Sequence, residues 1–451
     1  MNETVPTVRV GFVGAGFVAH LHGEAYRMVR GVNVTLQSVT AARPERSAAF
    51  AKEFGIRKTA PNIEAILADP EVDVVDLCVP PHLHAPMGVL AAEAGKHVIV
   101  EKPLTGFFGD AATPRSEMLR RAMTSADALL QACRAAGVWL CYAENWVYAP
   151  AVQKARRLLA ASGGPILRIL GEESHSGTHA PANKRWETGG GGSLIGKACH
   201  PLGGALYLKA DEGMRLHGKP VRPASVLAEV AQLAGTPTFQ ASTPCYMRVV
   251  ENANVEDWGS MLITFDDGTV AQISASDVVL GGVRNQLAVY GAKTVVFANI
   301  NPNDAVQAYA PESSVFGEEY IVEKIETKAG WTFPQPNEDW SNGYFAEIQD
   351  FMESVAFRPS GRNLAMDVTV MADLHDDHDQ HLVANLVDDP VAALSDTVPV
   401  FARELLGAGA ARVIRQLPDS AEDPGHVLLR GRAEVLRYRI AEAQIISSHE
   451  P

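Results

Sequence analysis

Along the first 145 residues, short apolar runs alternate with stretches of helical period. Val8 to Val13 is a nearly continuous apolar run, and similar runs follow at Val32 to Val39, Val74 to Val79, Val98 to Glu101 and Val138 to Tyr142. Between them, Phe17 to about Val29, Glu45 to Phe54, Ala85 to Ala94 and about Ser125 to Ala135 read as helices. Strands alternating with helices at this spacing predict an α/β fold with a doubly wound parallel sheet, the Rossmann arrangement. From Ser225 the pattern changes. Val255 to Phe265 and Thr269 to Ser276, joined by Asp266-Asp267-Gly268, predict a hairpin, and Gln286 to Tyr290 with Thr294 to Asn299 predict another. Helical periodicity returns at Tyr344 to Phe357, Val400 to Leu417 and Val427 to Ile446.

Composition narrows the partners. A chain of 451 residues, 47% hydrophobic, can bury at least two ordinary cores. A net charge of -14 argues against nucleic acid or an anionic membrane and for a small soluble ligand. The five cysteines are odd in number and scattered, which predicts a reducing compartment and no metal motif. With no leader pattern and no apolar run long enough to span a bilayer, the expected location is cytoplasmic.

The first chemical signal is Gly14-Ala15-Gly16-Phe17-Val18-Ala19, a G-x-G-x-x-A turn between a strand and a helix. Gly14 makes the tight turn, Gly16 admits a pyrophosphate, and Ala19 permits close packing, with Phe17 and Val18 opening the helix on which the phosphates rest. A dinucleotide cofactor is therefore predicted. The second strand ends in Thr40-Ala41-Ala42-Arg43, without the carboxylate that strict NAD selection uses. Ala41 and Arg43 are the expected ribose-side residues, so NADP is permitted; Arg43 alternatively is a solvated turn residue. A second signal is Val98-Ile99-Val100-Glu101-Lys102-Pro103, which delivers Lys102 to the carboxyl end of a buried strand, where ligands bind in such sheets. Its bland alternative is a solvated Glu-Lys pair before a turn.

Together with Pro80-Pro81-His82-Leu83-His84 and the run from Ala94-Gly95-Lys96-His97 into Glu101-Lys102-Pro103, these motifs resemble the Gfo/Idh/MocA oxidoreductases over roughly residues 5 to 373. The resemblance implies an NAD(P)-binding Rossmann domain over 1–145 and an α+β substrate and oligomerisation domain over 146–373. The second domain would hold a large, mostly antiparallel open sheet, one face of which makes homodimer or homotetramer contacts. It places Pro80, His84, Glu101 and Lys102 beside the cofactor, and His200 on the family's catalytic histidine. The chain departs from the family at Gly196, where an aspartate is usual, and at Gly203, where an acid is usual. Ala365 to Asp373 would begin a return helix, and residues 374–451 form an atypical C-terminal extension.

Polar residues at predicted strand ends and in the following loops supply a substrate wall: Tyr142, Glu144, Asn145, His175, Arg185, Trp186 and Lys197. His175 and His179 lack further ligands at metal spacing, so no metal is expected. Thr105 to Met118 reads equally as a lid or as a surface loop. The preferred function is an NAD(P)-dependent dehydrogenase or reductase acting on a sugar, polyol or glycoside. Lys102 serves as base or acid, its pKa lowered by burial and the oxidised ring, and His200 relays the proton. Two alternatives stay open: an NAD-dependent glycosidase working by transient oxidation and elimination, and a non-catalytic NAD(P)-binding sensor.

Overall fold

Six strands form a wholly parallel sheet in the order β3-β2-β1-β4-β5-β6: β1 (Thr7–Val13), β2 (Asn33–Thr40), β3 (Lys58–Thr59), β4 (Val74–Leu77), β5 (His97–Glu101) and β6 (Leu140–Ala143). The computed structural model describes residues 5–178, 180–242, 246–247, 253–301, 305–357, 426–430 and 435–439. All five positions of β5 are buried, as expected for a central strand covered on both faces. The connecting helices are α1 (Phe17–Met28), α2 (Pro44–Phe54), α3 (Ile63–Leu67), α4 (His84–Glu93) and α5 (Arg115–Ala136). The strand order reverses between β1 and β4, which opens a crevice at their carboxyl ends. Helix α5 starts ten residues before the predicted Ser125, directly after Pro114, and Glu117 in its first turn bonds Arg120 and Arg121 at 2.7 Å.

The chain then enters the second half through α6 (Pro150–Ser162), whose apolar stripe buries Val152, Ala155 and Leu159. Six strands make the second sheet, in the order β12-β11-β7-β10-β9-β8: β7 (Ile166–Ser174), β8 (Pro223–Ala231), β9 (Trp258–Phe265), β10 (Val270–Ser276), β11 (Arg284–Gly291) and β12 (Val295–Asn301). Both predicted hairpins form, and every pairing is antiparallel except β7 with β10. Its inner face packs Ile169, Ile263, Ile273 and Leu287 onto the core. On the outer face the register aligns Phe297, Ala288, Leu170, Gln272, Leu262 and Leu227 in one row across all six strands. Phe297, Leu262 and Leu227 are exposed, on the sheet to whose face the family resemblance assigns subunit contacts.

Between β7 and β8 lie α7 (Trp186–Gly189), α8 (Ser193–Gly196) and the long α9 (Cys199–His217). The last two are separate helices because Lys197 leaves helical geometry at φ −129°. The loop before α5 is anchored at one end, while residues 109–112 are exposed. Phe107 is buried with Met118, Trp186 and Val255 in a small core of its own, bridging the two halves.

The helix Tyr344–Phe357 folds back against α1. Ile348, Phe351, Met352 and Val355 join the same apolar cluster as Val10, Ala25 and Tyr26. Residues 426–430 and 435–439 pair as an antiparallel hairpin, which corrects the helix expected over 427–446. Val427, Val435 and Tyr438 favour strand, and tertiary pairing overrides a weak helical period. The helices expected at 365–373 and 400–417, and His179, lie outside the described residues.

Candidate active site

The crevice between β1 and β4 is shaped by two glycines in different ways. Gly14 has φ +109°, and a Cβ there would stand 2.1 Å from the Cys78 carbonyl oxygen, so the turn closes only without a side chain. Its N–H donates to the Thr40 carbonyl at 2.8 Å. Gly16, in ordinary extended geometry at the start of α1, would meet nothing within 4 Å if it carried a Cβ. An open space facing the first N–H groups of a twelve-residue helix fits a pyrophosphate. Ala19 is fully buried beneath it, Phe17 is exposed beside it, and Val18 is half-buried. Ala41 is half-buried and Arg43 exposed where α2 begins.

Pro80 is half-buried between β4 and α4, but His84 is not available to a cofactor as expected. Its ring is buried with Nδ1 2.6 Å from the Pro103 carbonyl and Nε2 2.8 Å from that of Val79, tying the two strand-end loops together. Burial lowers its pKa.

Lys102 emerges where β5 ends and donates from Nζ to the Gly196 carbonyl of α8 at 2.8 Å. Behind it, Glu101 accepts from the Lys102 N–H at 3.1 Å and faces His22 Nε2 at 3.2 Å. His22 Nδ1 in turn lies 2.9 Å from Asp76, which also accepts from the Tyr26 hydroxyl at 2.9 Å. Burial pulls the His22 pKa down, but Asp76 and Cys78 beside it more than offset this and raise it well above the ordinary value. The lowering by burial expected for Lys102 is outweighed by its protein surroundings. Burial acts in that direction, yet the negative field of Cys199, Glu173, Glu101 and Glu144 outweighs it and raises the pKa. Since burial pushes the Cys199 thiol up and keeps it neutral near pH 7, the three carboxylates dominate.

His200 lies buried near the start of α9, stacked on Trp146 with ring centroids 5.9 Å apart and 16° between planes. Its Nδ1 is 2.7 Å from Glu144 Oε1, and its Nε2 is 3.8 Å from Glu173 Oε2. Glu144 therefore faces the histidine. Lys197 is not a free cation either: its Nζ is 2.6 Å from Asp277, which also accepts from the Ser193 hydroxyl at 2.7 Å. Next to this pair, His175 Nε2 lies 2.9 Å from Lys324 Nζ, and Lys324 is 3.0 Å from Glu323. Burial lowers the Lys324 pKa.

The other four expected substrate residues divide between packing and the surface. Asn145 donates to the Asn342 carbonyl at 2.8 Å and anchors the chain ahead of the last core helix. Trp186 is buried and its Nε1–H is taken by the Gly109 carbonyl at 2.8 Å, so it serves packing. Arg185 is exposed, while Tyr142 is half-buried beside Val100. Sequence reasoning passed over Glu173 and Asp277, although both sit at the carboxyl ends of strands, and Lys324, for which no local signal exists. Two groups of possible metal ligands occur among the described residues, Glu144 with Cys199 and His200, and His22 with Asp76 and Cys78. Direct hydrogen bonds join His200 to Glu144 and both His22 and Cys78 to Asp76, and Cys199 directly precedes His200 in the chain.

Residues 8–132 match the model of an oxidoreductase family with an NAD-binding Rossmann fold, and residues 152–296 match the GFO/IDH/MocA C-terminal domain. The chain is 30% identical over 216 residues to levoglucosan dehydrogenase of Pseudarthrobacter phenanthrenivorans, covering 45% of this chain and 52% of that one. It thus spans about half the length of that relative. It is 20% identical over 351 residues to myo-inositol 2-dehydrogenase of Thermotoga maritima, covering 77% and 88% of the two chains. The crystal structure of GenD2 from gentamicin A biosynthesis, in complex with NAD, aligns with a TM-score of 0.64 at 23% identity, over 88% of this chain and 95% of that one, and so shares its fold.

Proposed function

This chain belongs to the Gfo/Idh/MocA oxidoreductase family, and on that premise we propose that it moves a hydride between a nicotinamide cofactor and a carbinol carbon of a sugar, polyol or glycoside. The observation that carries the reading is the arrival of Lys102, at the end of β5, against the α8 carbonyl just ahead of the segment that carries His200. Relatives named for levoglucosan and myo-inositol support a hydroxyl-rich substrate. Gly14, Gly16 and the start of α1 would hold the pyrophosphate, and the nicotinamide, when bound, supplies hydride transfer.

Lys102 and His200 handle the oxygen of the reacting carbon. The raised pKa keeps Lys102 an ammonium at neutral pH, so it donates to a substrate carbonyl during reduction and must first lose a proton to act as a base in oxidation. The sign follows. Reduction is flat with pH while the ammonium persists, and oxidation climbs by up to about tenfold per pH unit until the amine titrates. A panel of sugars, polyols and glycosides, followed through reduced-nicotinamide absorbance in both directions from about pH 6 to about pH 9, tests this. Cofactor binding without turnover across the panel would instead favour the sensor, and glycoside cleavage with catalytic cofactor and no net absorbance change the glycosidase.

The cofactor side reads as open to NADP, because no carboxylate in residues 40–43 repels a 2′-phosphate and Arg43 is exposed beside it. Replacing Ala41 by Asp is expected to move preference toward NAD by at least about tenfold, or about 1.4 kcal/mol. Paired titrations measure it. Wild-type protein that already binds NAD far more tightly than NADP would return Arg43 to a solvated turn.

A further inference from the structure

We propose that Glu144 is the positioning residue of His200, a carboxylate delivered from the end of β6 into space that Gly203 leaves empty on α9. The inference rests on the dehydrogenase reading for its kinetic consequences, though not for its geometry. A carboxylate has no proton to give, so the 2.7 Å contact between Glu144 Oε1 and His200 Nδ1 places the proton on Nδ1 and leaves Nε2 as the free ring atom. The same oxygen accepts from the Trp146 N–H at 3.3 Å, and the Trp146 ring stacks on the imidazole. One short segment therefore fixes the histidine's tautomer through Glu144 and its plane through Trp146.

Gly203 makes this possible. A Cβ at that position would lie 2.7 Å from Glu144 Cγ and 3.1 Å from Cδ, so any side chain one turn after His200 would displace the carboxylate. Glycine inside a helix is disfavoured relative to alanine, and here it leaves room for a group 59 positions earlier in the chain. On the opposite side of the ring, Glu173 Oε2 is buried without a hydrogen-bond partner among the described residues and stands 3.8 Å from Nε2. That gap is too long for a hydrogen bond, and because both atoms are acceptors, a substrate hydroxyl placed between them gives its one proton to Nε2 or to Oε2, not to both. With Glu144 behind it, His200 presents Nε2 as its proton-accepting atom, as an imidazole backed by a carboxylate does in hydrolases.

The test uses the full chain with His200 assigned in nitrogen spectra of the resting protein, which need no substrate. In the parent, the shifts should report the proton on Nδ1. In Glu144→Gln, which keeps the volume, the amide can donate to Nδ1, and the tautomer should shift toward Nε2. Turnover should then fall by about 10²-fold with KM for the cofactor unchanged. The variant Glu144→Ala should lose as much, and Glu144→Ala combined with Gly203→Asp should regain at least about tenfold and restore the Nδ1 proton. A parent proton on Nε2, an unaltered tautomer in Glu144→Gln, or no recovery in a folded, cofactor-binding double variant overturns the proposal. If no substrate is ever turned over, the function fails, while the spectra still decide Glu144.

Discussion

Replacing Lys102 by Met is expected to lower turnover by about 10²- to 10⁴-fold, the span that a positioned acid or base contributes, with little change in cofactor affinity. Met fills nearly the same volume, so what the variant removes is the charge and its three donors. Two side effects have defined signs. The Gly196 carbonyl loses its donor, at a cost of about 1–3 kcal/mol if no water replaces it. The second acts in the same direction: the field of Glu101, Glu144 and Glu173 outweighs the desolvation of the ammonium, so its loss removes a net favourable interaction. Single-turnover kinetics beside calorimetric cofactor titration separates chemistry from binding and stability. Turnover near the parent's in a folded, cofactor-binding variant would remove Lys102 from the reaction.

Gly16→Val should abolish cofactor binding and leave the fold intact. The space around Gly16 is empty of protein, and its backbone is extended, so valine fits without strain. The branched side chain would instead occupy the room where the pyrophosphate approaches the helix. A loss beyond about 10²-fold, or about 2.7 kcal/mol, is expected in calorimetry with an unchanged melting temperature. The neighbouring Gly14 could not serve this test, because its side chain would collide with the Cys78 carbonyl and disturb the sheet itself. Unchanged affinity in the folded Gly16 variant would place the phosphates elsewhere.

What could be read from the chain was local. The glycine turn, the buried β5 run and the two hairpins each declare themselves within about ten residues, where period and turn chemistry suffice. The start of α5 was legible as well, in Pro114 and Glu117, but a polar first turn hid it. The site residues that were misjudged are those whose role depends on a distant partner. Glu144 looked like a substrate contact until His200, 56 positions away, was seen to face it. Asn145 and Trp186 have side chains suited to hydroxyl recognition, yet backbone carbonyls 197 and 77 positions away take their donors. Lys197 read as part of the substrate wall because Asp277, 80 positions on, carries no sequence mark as its counter-ion. The pKa of Lys102 went the same way, since burial is predictable from a strand but two of the three carboxylates that outweigh it, Glu144 and Glu173, come from other elements.

The helix Tyr344–Phe357 has a consequence for how the molecule is made. Arg30 and Gln349, 319 positions apart, exchange hydrogen bonds at 2.8 Å in both directions, and Phe351 and Met352 complete the apolar cluster to which α1 contributes. On a ribosome the six parallel strands and α1 emerge long before their cover exists. At about 5–20 residues per second, the outer side of the nucleotide-binding half waits some tens of seconds for it, with the whole second sheet synthesised in between. The first half of the chain is thus born with an unfinished surface, and the interval before residue 344 arrives is when a chaperone has most to shield.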